Sequence, residues 1–180
     1  MCIRDRLRGT NHRTFHNGGV QGRVEVRTGE GQVENTLELG ARIHQDWVHR
    51  DHDEEPWAMM GGLLERADGP IETTTDRYSV AQALAVHVHD RLRLGRVELV
   101  PGMRTEVVQT REDDVLNGTQ TDALRVTPLP GMGALVQVVD WMDVFAGVHR
   151  GFSPVPPGES LETRPESAIS TELGLSLIHI

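Results

Sequence analysis

The sequence predicts an all-β fold: an open, curved antiparallel sheet of about seven strands, belonging to the wall of a larger transmembrane β-barrel. Three observations predict it. Apolar residues recur at every second position through several stretches, which is the strand period. The connections between those stretches alternate short and long along the chain. No apolar run approaches the ~18 residues of a membrane helix, and barrel strands cross a bilayer without one.

The elements follow in chain order. Gln21–Arg27 opens the series. In Leu37–Arg50, Leu37, Leu39, Ala41, Ile43 and Gln45 face one way, and Glu38, Arg42, His44 and Asp46 the other. Tyr78–His89 is the cleanest: Tyr78, Val80, Gln82, Leu84, Val86 and Val88 oppose Ser79, Ala81, Ala83, Ala85, His87 and His89. Arg96–Val108 repeats the pattern, with Pro101, which has no N–H to donate, marking a kink or a gap in the ladder. Pro130–Val139, Val144–Phe152 and Glu166–Gly174 complete the set. Apart from the shorter Gln21–Arg27, these strands run about 9–14 residues, enough for a tilted crossing of the bilayer core. Thr28–Glu34, Asp90–Gly95 and Asp140–Asp143 are short links, whereas Asp51–Arg77, Arg111–Thr127 and Ser153–Pro165 are long and polar. A soluble sandwich has no reason to sort its loops this way. An outer-membrane barrel does, with short periplasmic turns and long outer loops.

Composition narrows the function. The 180 residues carry 27 acidic and 18 basic side chains, a formal charge of −9, and every basic residue is Arg. A nucleic-acid binder would show a basic stripe instead. One Cys excludes a disulfide scaffold. The termini MCIRDR and LSLIHI can be spelled by codons that are reverse complements of each other, resembling a sequencing-library adapter. Residues 1–6 and 175–180 are therefore expected to be adapter-derived, leaving 7–174 as a barrel segment that would not close or fold alone.

The run VELVPGMRTE at Val97–Glu106, LPGMGA at Leu129–Ala134, and VFAGVHRGFSP at Val144–Pro154 is followed by Pro157-Gly158, Pro165-Glu166-Ser167 and Thr171-Glu172-Leu173-Gly174. In order and spacing this series resembles the barrel of TonB-dependent outer-membrane receptors, especially the ferric-citrate receptor type, over roughly residues 14–174. The resemblance implies a plugged barrel of about 22 strands in the outer membrane of a Gram-negative bacterium. It implies uptake of an iron chelate, siderophore or ferric citrate, driven by the TonB energy-transducing complex acting through the plug. Outer-membrane lipid would surround the wall. Neither a cofactor nor an enzymatic activity is expected.

Individual residues admit more than one reading. His49 and His52, within His49–Glu55, supply metal-ligand chemistry, though the spacing matches no zinc signature and a hydrated acidic loop gives the same composition. Glu98, Arg104 and Glu106 share the inward face of one strand and are expected to form lumen ion pairs. His149 and Arg150 are candidates for an anionic chelate, since a guanidinium suits carboxylates; Arg150 could equally be a rim residue. His87 and His89 are expected as solvated lumen histidines. Trp47, Tyr78, Trp141 and Phe145 are candidates for aromatic girdles. No G-x-S-x-G, P-loop or nucleophile–base pair is present. The alternatives are a soluble all-β metal- or carbohydrate-binding domain, and a metal-dependent hydrolase built on His49–Glu55.

Overall fold

A computed structural model describes residues 6–160 and 162–177. Eight strands follow one another without a helix: β1 (Arg6–Glu30), β2 (Val33–Met60), β3 (Leu63–Arg66), β4 (Glu72–Leu94), β5 (Val97–Asp114), β6 (Thr119–Val139), β7 (Met142–Ser153) and β8 (Glu166–Leu177). They form one antiparallel sheet in the order β1-β2-β4-β5-β6-β7-β8, with β3 paired to the far end of β2. The sheet curls into a half-barrel. Among the described residues, the outer edges of β1 and β8 pair with no other strand.

Period two sets which side chains share a face. Through β4, Gln82, Leu84, Val86 and Val88 are exposed, whereas Ala83 and Ala85 are buried and His87 and His89 half-buried. In β6 the same beat leaves Leu124 and Val126 exposed and buries Ala123 and Thr127. Register aligns these beats across the sheet: Arg42 pairs with Ala85, Ala85 with Glu106, and Glu106 with Thr127. One face is thus small and polar. The other carries Leu39, Ile43, Leu84, Val86, Leu124 and Val126, each exposed. The burial of the small residues places them on the concave side. Leu84, Val86, Val97 and Leu99 lie in no packed interior; the apolar face of this sheet points outward.

One rim closes with two-residue turns at 31–32, 95–96 and 140–141. Neighbouring turns there are tied by Gly95 N–H donating to the Gln32 carbonyl (2.7 Å) and Gln137 N–H to that of Arg96 (2.8 Å). At the opposite rim β5 and β6 meet through residues 115–118, β2 and β4 are joined by way of β3, and β7 and β8 by residues 154–165.

Strand length is the main departure from the sequence reading. The strands of the main path run from 12 to 28 residues, not 9–14. Most of Asp51–Arg77 and of Arg111–Thr127, expected as loops, is strand. β1 likewise begins far before Gln21. The reason is physical. Where both faces of a ladder meet water, the backbone bonds continue but no apolar alternation is required, so the strand leaves no periodic trace. Of the expected adapter-derived ends, residues 1–5 and 178–180 lie outside the described residues, while Arg6 and Leu175–Leu177 continue the ladders of β1 and β8.

Candidate functional site: the concave wall

Two polar pairs on the convex face bracket its apolar band. Asn35 Nδ2 donates to Asp90 Oδ1 (2.8 Å) towards the short-turn rim, and Gln82 Nε2 donates to Gln45 Oε1 (2.8 Å) towards the far rim. Gln109 extends the second row through its pairing with Gln82. Between the rows β2 shows only Leu37, Leu39, Ala41 and Ile43 outward, and β4 only Leu84, Val86 and Val88. Ten residues at about 3.3 Å each, tilted about 45°, give a band about 23 Å tall. That matches the ~25 Å apolar belt of membrane barrels.

Just beyond the glutamine row lies an aromatic group. Trp47 and Tyr78 have ring centroids 6.0 Å apart, and His16 sits 5.2 Å from Trp47. His49 stacks on Tyr78 at 4.1 Å with near-parallel planes, and its Nε2 lies 2.9 Å from Asp76 Oδ1. Trp47 and Tyr78 thus stand where the girdle reading put them, and Trp141 lies in a short-rim turn. Phe145 differs. It pairs with Leu135 and Gly174 on the concave side, and its ring covers Gly174, where an added Cβ would collide with it.

The concave face carries the charge network. Arg104 binds Glu106 through Nε and Nη2, both at 2.6 Å from Oε1. Glu98 shares that face but turns to Arg91 Nε at 3.3 Å. The three residues expected to form ion pairs are therefore divided between two separate pairs, because Arg91 on β4 reaches Glu98 across the sheet. His44 and Asp46 approach to 3.8 Å.

The two-residue period parts two other expected groupings. His49 faces the convex side and His52 the concave side, where its Nε2 lies 3.3 Å from Glu54 Oε1. An odd separation along one strand sends side chains to opposite faces, so His49 and His52 do not form one metal site. The same rule separates His149, which pairs with Gly131 on the concave side, from Arg150, which pairs with Ile169 on the apolar side.

A group that sequence reasoning did not assemble lies lower on the concave wall. Glu38 is nearly buried and gathers Arg23, His87 and His89. Its Oε2 accepts from Arg23 Nη1 at 3.3 Å, while Oε1 lies 3.0 Å from His87 Nε2 and 3.8 Å from His89 Nδ1. The sequence signal was the His87-x-His89 pair on a strand's polar face. Its partner lies 49 residues upstream of His87 and was visible only through register.

Comparison with known proteins agrees with this architecture. A family model described as TonB dependent receptor-like, beta-barrel, matches residues 4–178. The ferric citrate transporter FecA in its unliganded form superposes with a TM-score of 0.78 at 22% identity, covering 93% of this chain and 26% of that one. BauA, the ferric preacinetobactin receptor from Acinetobacter baumannii, superposes with a TM-score of 0.68 at 16% identity, covering 93% of this chain and 27% of its own. The chain spans about a quarter of the length of either structure.

Proposed function

The chain belongs to the TonB-dependent receptor-like β-barrel family, and from that premise we propose that it forms part of the wall of a Gram-negative outer-membrane receptor that takes up an iron chelate. The carrying observation is the convex apolar band held between the Asn35–Asp90 pair and the glutamine row, with a charged concave wall behind it. A soluble domain would bury that band. The short turns then lie at the periplasmic rim and the extended strands project outward beyond the lipid. Further strands pairing with β1 and β8 complete the cylinder.

Both superposed structures are named for ferric chelates, which supports a ferric chelate, citrate or siderophore, as cargo. TonB, engaged through a plug inside the barrel, supplies the energy, and the wall catalyses nothing. The concave face presents His149 to a chelate, whereas Arg150 lies on the convex face opposite Ile169. The Arg104–Glu106 and Arg91–Glu98 pairs satisfy charges facing the watery bore and its plug.

Deleting the gene that carries this sequence is expected to abolish uptake of radiolabelled iron from one ferric chelate, in a manner restored by complementation and absent without TonB. Unchanged uptake of every ferric chelate offered, with loss of a metal-free nutrient instead, would refute the cargo. Recovery of the protein from the soluble fraction would refute the location.

A further inference from the structure

We propose that Glu38, His87 and His89 form a binding site for a divalent first-row transition-metal ion, with Zn2+ the best fit, on the bore wall below the level at which cargo enters. The three ligands belong to the wall itself, so the site does not depend on the identity of the cargo.

Strand geometry builds the site. His87 and His89 are two positions apart on β4 and share the concave face. Glu38 on β2 pairs directly with His89, so their Cβ atoms are neighbours, while His87 is a diagonal neighbour about 7–8 Å away. A diagonal residue reaches Glu38 only by leaning across the groove. Gly40, the residue opposite His87, makes that possible: a Cβ at Gly40 would collide with the His87 ring. On the other flank His89 faces Gly102, where a Cβ would come within 3.2 Å of the His89 Cβ. The His87 ring thus lies over one glycine, the His89 stem stands beside another, and both imidazoles converge on one carboxylate oxygen.

The ligand set and its spacing suit zinc. His87, His89 and Glu38 each offer one ligand atom, and the three atoms lie within 4.8 Å of one another. At bonds of about 2.0–2.1 Å, the edge of a tetrahedron around zinc is about 3.3 Å. The separations of 3.0 and 3.8 Å from Glu38 Oε1 bracket that value. Two imidazoles and one carboxylate are the protein ligands of many open zinc sites, the fourth position being left to water. Here that position opens on a cavity of about 350 Å3 in the bore.

Neighbouring charges leave the coordinating atoms free. Arg23 holds Glu38 Oε2, which fixes the carboxylate and turns Oε1 to the histidines. Arg104, opposite His87, is engaged with Glu106. Arg42, also lining the cavity, is the one guanidinium left near the site without an ion pair among those described; its charge tempers affinity.

The test uses the whole receptor purified in detergent, with no chelate present, and Zn2+ as probe in equilibrium dialysis. One Zn2+ per barrel is expected, and Co2+ in its place is expected to give the intense visible absorption of a four-coordinate site. His87→Gln and His89→Gln should each weaken Zn2+ binding at least about tenfold, since even outer-sphere changes around bound zinc cost that much. His44→Gln and His52→Gln, bore histidines elsewhere, should leave it unchanged. Each variant is first checked for the heat-modifiable migration of a folded barrel. Absence of the Co2+ spectrum in the wild-type receptor overturns the proposal without recourse to variants. So does Zn2+ binding that survives in folded His87→Gln and His89→Gln receptors.

Discussion

The sheet between the asparagine–aspartate pair and the glutamine row behaves differently from the same strands beyond it. Inside the band, β4 alternates Leu84, Val86 and Val88 with Ala83, Ala85 and His87, and exposure follows the beat. Beyond it, β2 runs on through Arg50, Asp51, His52, Asp53, Glu54 and Glu55, with charge on both faces and no beat at all. Both regions are continuous antiparallel ladder. Backbone hydrogen bonding suffices to make strand, whereas alternation is imposed by two unlike solvents on the two faces. A slip of one residue would reverse every side chain in the band; in the outer extension it would change little.

The sharpest way to break that contrast is a charge on the convex face. Leu84→Arg in mid-band is expected to cost about 2–4 kcal/mol of folding free energy into a bilayer. The same change at Leu116, in the outer turn, should stay within about 0.5 kcal/mol. Denaturant titration in lipid vesicles measures both, and equal costs would show that the band does not face lipid.

The two rims offer a second contrast, of intermediate size. Gly29 (φ +85°) and Gly118 (φ +62°) both occupy the left-handed region. A Cβ at Gly29 would also run into the Val33 carbonyl oxygen, whereas one at Gly118 meets open space. Gly29→Ala is therefore expected to cost about 2–3 kcal/mol and Gly118→Ala about 1–2 kcal/mol, read from the same titrations. A larger loss at Gly118 would mean that the outer turn, not the tight inner one, sets the register.

The smallest effect is a pH response confined to the outer end. Asp114 accepts from the Asn117 backbone N–H (3.1 Å) and side-chain amide (2.9 Å) and meets Arg77 at 3.1 Å. The Asn117 side-chain hydrogen bond, then its backbone one, hold the Asp114 carboxyl below its ordinary range. Because the folded pKa is the lower one, this contribution is present above the unfolded pKa of about 3.9 and is lost as pH falls through the folded value. Hydrogen exchange across residues 115–118 should accelerate on acidification beyond its intrinsic pH dependence, and Asn117→Ala should remove that excess. An unchanged excess in Asn117→Ala would assign it to another carboxylate.

Legibility divides along the same boundary. The band was readable because each residue from Tyr78 to His89 reports its own face. The outer extensions were not, since Asp51–Arg77 reads as polar loop whichever way the backbone runs. The candidate metal site fell between these cases. His87-x-His89 showed as a pair on the polar face, yet nothing tied it to Glu38. The connection between β2 and β4 is long, so no tight turn fixes their register from sequence.

Which side chains share a face of each strand is legible along the chain alone, because that depends on a two-residue period and on nothing distant. Which residues stand opposite one another emerged only with the sheet assembled: Glu38 opposite His89, Arg93 opposite Glu98 with Arg91 reaching in diagonally, and His149 opposite Gly131. Pairing across a long connection is set by the summed fit of two whole strands, and no local stretch of chain carries that sum.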